Sequence, residues 1–124
     1  MKFTLHRPGG VHLVRGYAPG SLRIGADEYR TSLLVSADRL VTEWPPERLA
    51  DLEREHIEAI LDFEPDIVLL GSGATQQFPD ATVLAPLYER GIGVEIMDTG
   101  AACRTYNVLV SEDRRVVAAL LVAE

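Results

Sequence analysis

Hydrophobic and polar positions follow three different rhythms along this chain, and each change of rhythm predicts a change of element. In the first third they alternate. Phe3 and Leu5, then Val11 and Leu13, alternate with polar residues around the turn Arg7-Pro8-Gly9-Gly10. Ser21–Ile24 and Tyr29–Val35 follow, separated by Gly25-Ala26-Asp27-Glu28, a hairpin turn signal. Period-two alternation is the mark of antiparallel strands with one wet face. Leu33-Leu34-Val35 is continuously apolar and should enter a buried sheet. A strand around Leu40–Val41 ends at Trp44-Pro45-Pro46, because proline cannot donate to a ladder.

The second rhythm is helical. Leu49, Leu52, His56, Ile57 and Ile60 recur at spacings of three and four. The helix begins at Glu47 or only near Glu53, and stops near Asp62–Pro65. The third rhythm is the uninterrupted apolar run Ile67-Val68-Leu69-Leu70 closed by Gly71, as expected of a strand covered on both faces. Asp80 can cap a helix reaching about Arg90, which Gly91 ends in the left-handed position that glycine fits best. Pro86 inside it predicts a kink or a later start. Val94–Met97 is the next strand, Asp98 or Thr99 caps a helix to about Leu109 in spite of Gly100, and Arg115–Leu121 is a last apolar strand.

A strand, a crossover helix and a second strand of this length pair in parallel with a right-handed connection. Gly71 and Asp98 then leave the sheet at the same carboxyl edge, where open α/β proteins place their sites. The expectation is a single α/β domain over residues 1–124 with antiparallel strands at its N-terminal end.

Composition narrows the function. The chain has 124 residues, 47% of them apolar, enough for one buried core. Twelve basic against nineteen acidic residues leave a net charge of −7, and Arg114-Arg115 is the only adjacent basic pair, which argues against nucleic acid as a partner. A lone cysteine, no Cys/His spacing of the zinc type and an alternating N-terminus predict a soluble cytoplasmic domain with no metal, not an integral membrane protein.

The carboxyl edge carries the candidate chemistry. Gly71-Ser72-Gly73 looks like a phosphate cradle, but the following A-T-Q-Q-F-P lacks the third glycine of a dinucleotide fingerprint and the Lys-Ser/Thr of a P-loop. A tight strand exit is the plainer expectation. Asp98 and Thr99 read first as a helix cap, and a capping carboxylate is pushed away from the raised pKa of a catalytic acid. Arg104 and Asn107 share one helix face amid Ala101, Ala102, Cys103, Tyr106 and Val108. A buried guanidinium there would need an internal partner (Asp98, Glu95 or Asp66) or an anionic ligand. Cys103 reads as a small buried residue, since His6, His12 and His56 are all remote in sequence. Trp44 and Phe78, each beside prolines, are candidates for an apolar interface patch.

With the GSG turn, GIGVEIMDT and AACRTYNVL on the page, the chain resembles the adipogenesis-associated family of domains of unknown function. Relatives in that family include a mitochondrial respiratory complex I assembly factor. The resemblance runs from about Gly16 onward and is most specific over Gly91–Asn107 and the upstream LLGSG. It implies a compact three-layer α/β fold around a mixed sheet, with no cofactor and no established catalytic residue. It marks Gly71, Gly73, Gly93, Asp98, Thr99, Arg104, Thr105 and Asn107 as motif positions. For one branch it implies assembly of membrane-associated complexes through protein contacts. Two functions are therefore expected to compete: a non-catalytic protein-interaction module with a protein partner, or a binder of a small anionic metabolite near Gly71–Gly73 and Asp98–Arg104. Thiol chemistry at Cys103 is a weaker third.

Overall fold

The computed structural model describes residues 10–122, so the strand expected at Phe3 and Leu5 lies outside the described residues. Among the described residues eight strands and three α-helices follow in chain order: β1 (Val14–Ala18), β2 (Ser21–Ile24), β3 (Asp27–Tyr29), β4 (Leu33–Val35), β5 (Leu40–Val41), α1 (Arg54–Leu61), β6 (Ile67–Gly71), α2 (Ala85–Glu89), β7 (Gly93–Met97), α3 (Thr99–Ser111) and β8 (Val116–Leu120). They form an antiparallel sheet β1-β2-β3 and a mixed sheet β5-β4-β8-β6-β7. In the mixed sheet β6 runs parallel to both β7 and β8, while β4 is antiparallel to β8 and β5.

The mixed sheet is the middle of three layers, and strand parity decides what each face covers. Leu33, Val35, Leu69, Val116, Ala118 and Leu120 pack with Ala102, Cys103, Tyr106 and Val110 of α3 and with Val14, Leu22 and Ile24 of the small sheet. Their neighbours Leu34, Val68, Leu70, Val117, Ala119 and Leu121 pack with Ile57, Ile60, Leu84 and Leu87 on the side of α1 and α2. The three-layer α/β expectation, with its parallel β-α-β unit and its antiparallel N-terminal layer, is met.

Several details differ from the sequence rhythm and others follow it, each for an identifiable reason. Tyr29–Val35 is two strands in different sheets, parted by an exposed Arg30-Thr31 corner. Among the described residues the first strand is Val14–Ala18 and not Val11–Leu13; its alternation is hidden by a register shift between Val14 and Gly16. The helix after Trp44 opens as a 3-10 turn at Leu49–Asp51 and restarts at Arg54, where the Glu53 amide donates to His56 Nδ1 at 2.9 Å. Asp80 does cap, accepting from Thr82 N, but over a 3-10 turn at Ala81–Leu84. Pro86 sits in the first turn of α2, where its missing N–H has no ladder partner to lose. Gly91 follows with φ +72°, the left-handed stop.

Candidate functional site

The carboxyl ends of β6 and β7 meet the start of α3, as the topology requires. Asp98 is the cap, its Oδ1 accepting from Ala101 N at 2.8 Å. Thr99 turns the other way, into the sheet. Its fully buried hydroxyl donates to Leu121 O and accepts from Gly73 N, both at 2.8 Å, and its own amide donates to Gly73 O at 2.8 Å. Ser72 is committed as fully: its amide donates to Met97 O, and its Oγ donates to Thr75 O at 2.7 Å and accepts from Gln77 N at 3.0 Å. Leu121 N closes the circuit on Gly71 O. Every donor that an anion would seek in the Ser72–Gly73 turn therefore already points at a protein acceptor. Gly71 is there for space, since a Cβ would lie 2.9 Å from Thr99 Oγ1 and 3.0 Å from both Thr99 Cα and Leu120 Cδ2.

Two of the sequence candidates stand elsewhere than expected. Arg104 is solvent-exposed and makes no ion pair among the described residues, so the buried guanidinium with an internal carboxylate partner is corrected. Alpha-helix α3 buries Ala102, Cys103, Tyr106 and Val110 and turns Arg104 and Val108 outward, Val108 being 54% exposed. Trp44 is also corrected, because it belongs to the core at 3% exposure. It packs with Leu49, Leu52, Ile57 and Ile60, and its indole N–H donates to His56 O at 3.3 Å. Phe78, by contrast, is 68% exposed in the loop after β6.

Asn107 works as a clamp. Its Nδ2 donates to Val14 O at 2.8 Å and its Oδ1 accepts from Val14 N at 3.0 Å, so one side chain satisfies a strand residue as a neighbouring strand would. The hydroxyl of Tyr106, one residue earlier, donates to His12 O at 2.7 Å. Together they tie the start of the small sheet to α3.

Sequence reasoning missed Tyr17, although Gly100 carried the signal. A Cβ at Gly100 would stand 3.3 Å from Tyr17 Cδ2, so the glycine in the first turn of α3 makes room for that ring. The Tyr17 hydroxyl is buried without a hydrogen-bond partner among the described residues, and burial, with the electrostatic influence of Cys103 and Asp98 adding to it, raises its pKa. Cys103 beneath it is pushed up to about 12 by burial, against the opposing pull of Arg104. A thiol held protonated is a poor nucleophile. It also makes stability pH-dependent. The unfolded thiol ionises near its usual value while the native one does not, so the native state binds more protons and stability falls as pH rises from about 8.5 towards 12. Replacing Cys103 with alanine should therefore flatten alkaline destabilisation by at most about 1.4 kcal/mol per pH unit, read from urea midpoints between pH 8 and 10. Equal slopes in both proteins would contradict it.

Among the described residues there is no group of three or more His, Cys, Asp or Glu placed to hold a metal ion, and no helix long and apolar enough to cross a membrane. Fold and edge together define a small three-layer α/β protein whose carboxyl edge is laced up by its own hydrogen bonds. The chain belongs to the family described as protein of unknown function (DUF498/DUF598), which matches residues 14–121. It is 30% identical over 101 residues to the 13 kDa major membrane protein of Francisella tularensis, covering 81% of this chain and 82% of that one. It is 37% identical over 83 residues to NADH dehydrogenase (ubiquinone) 1 alpha subcomplex assembly factor 3 of Danio rerio, covering 65% of this chain and 48% of that one. The chain thus spans about half the length of that assembly factor. Among solved structures, the NMR structure of a Xanthomonas campestris protein superposes with a TM-score of 0.85 at 38% identity, covering 97% of this chain and 92% of that one.

Proposed function

We propose that this protein is a non-catalytic protein-binding module of the assembly-factor kind, working in the cytoplasm. The observation that carries this is the closed carboxyl edge: the Ser72 and Gly73 amides and the Ser72 and Thr99 hydroxyls are spent on protein acceptors and donors. The relatives that are assembly factors support the same reading, and the buried, unpaired Cys103 suits a reducing compartment. Phe78 is the more exposed of two surface aromatics, Tyr88 being the other, and one that a partner would cover, since aromatic side chains are enriched at interfaces. Photo-crosslinking in the host should capture a defined partner with the wild type and lose it with Phe78→Ala. That substitution touches only surface and should leave stability within about 0.5 kcal/mol. Equal capture by both proteins, or none by either, would overturn it.

Arg104 favours a second reading, in which a small anionic metabolite sits beside the start of α3 on an unpaired, solvated guanidinium. Arg104 would be its anchor, with Ser72 and Thr99 nearby but already bonded. A thermal-shift screen of phosphates and carboxylates decides it. A true ligand at 100 times its Kd stabilises wild type by about 2.7 kcal/mol and leaves Arg104→Ala unmoved. A compound that stabilises both proteins equally, or no stabilising compound at all, rejects it.

A further inference from the structure

We propose that the outer edge of β7 receives an extended segment of another protein that sets a lysine or arginine opposite Glu95. This rests on the protein-binding reading above and names the surface and the chemistry of its partner. Gly93 N donates to Asp66 O and Met97 O accepts from Ser72 N, so residues 93, 95 and 97 turn their backbone groups inward to β6. Strand alternation turns those of Val94 and Ile96 outward. Ile96 O accepts from Gln76 Nε2 at 3.0 Å, a side-chain amide standing where the N–H of an added strand would donate. Val94 N, Val94 O and Ile96 N have no hydrogen-bond partner among the described residues.

The other sheet edges are not offered in this way. The Asn107 amide occupies β1 at Val14, while β3 and β5 are three and two residues long against five in β7. An unpaired edge of this kind is a template for an incoming strand.

Glu95 selects the occupant. Val94 and Ile96 pack on the α1–α2 side of the sheet, so the exposed Glu95 side chain stands on the opposite face. A second copy of this chain, laid antiparallel so that all the outward groups bond, would pair Val94 with Ile96 of that copy. Glu95 would then face its own counterpart at about 5 Å between Cβ atoms, an unfavourable like-charge pair. The net charge of −7 on each copy adds to the repulsion. A basic residue at the same position turns that repulsion into attraction. The edge therefore refuses self-pairing and accepts a basic strand.

The protein can test this on itself. Glu95→Lys mixed in equal amounts with wild type places lysine opposite glutamate across the same edge. Sedimentation should show each protein alone as a monomer and the mixture shifted towards twice that mass. The amide resonances that move in the mixture should centre on Val94 and Ile96. Glu112→Lys, an equal charge change at the far end of α3, should give no association with wild type. A mixture that stays monomeric, a Glu95→Lys protein that self-associates equally well, or shifts centred away from β7 would each overturn the proposal. Loss of the Phe78-dependent partner is read in a separate experiment, by crosslinking in the host, so either reading can fail alone.

Discussion

Trp44→Ala should destabilise the protein by about 3–5 kcal/mol, the range for removing a buried aromatic side chain. The indole is 3% exposed, touches the apolar residues of the 3-10 turn and of α1, and stands edge-on to His56 with ring centroids 6.3 Å apart. Its N–H also satisfies His56 O, so truncation leaves a cavity and removes a hydrogen bond together. A domain holds only about 5–15 kcal/mol in total, so a substantial share of the stability goes. At about 3–5 °C per kcal/mol for a chain of this size, Tm should fall by roughly 9–25 °C. Because Trp44 is the single tryptophan, its fluorescence is lost with it and far-UV circular dichroism is the readout. A Tm within about 2 °C of wild type would place the side chain outside the core. Phe78→Ala is the natural control, with a large aromatic removed from the surface and little stability lost.

The second large effect belongs to Gly71. In Gly71→Ala the new methyl group meets Thr99 Cα at 3.0 Å, and this is backbone, which cannot rotate away. Overpacking of that kind costs about 1–3 kcal/mol. Moving α3 to relieve it stretches the Thr99 bonds to Gly73 and Leu121, each worth about 1 kcal/mol. We expect a total near 3 kcal/mol, and with a urea slope of about 2 kcal/mol per molar the midpoint should drop by about 1.5 M. A midpoint unchanged within error would mean that the strand end and the helix start are looser than their contacts indicate.

These two residues mark how much could be read from the chain alone. Gly71 was legible because an unbroken apolar strand ending in glycine, followed by a capped helix, has few ways to fold. Ile67–Gly71, Gly91 and Asp98 took their expected places for that reason. Trp44 was not legible: an aromatic beside two prolines looks the same whether it covers a surface or plugs a core. Only the path of the 3-10 turn and α1 decides between them. Arg104 failed differently. The apolar and small residues around it fill almost the whole circumference of α3, so the sequence could not say which side faces the sheet. Asn107 reads as a site residue in the sequence, but its bond to Val14 spans 93 positions and has no local trace. Tyr17 left its mark only on Gly100, where its ring would crowd a Cβ at 3.3 Å.

The place of β8 has a consequence for how this protein is made. It is the middle strand of the mixed sheet, and β4 and β6 are joined only through it. It is also the last strand in chain order among the described residues. A chain growing from a ribosome therefore carries β4–β5 and β6–β7 as two separate apolar pieces until Val116–Leu120 has been synthesised and has left the exit tunnel. Neither piece can bury its face before then, and exposed strands are the species that aggregate. A chain stalled just before Val116 would carry these two pieces without the strand that joins them.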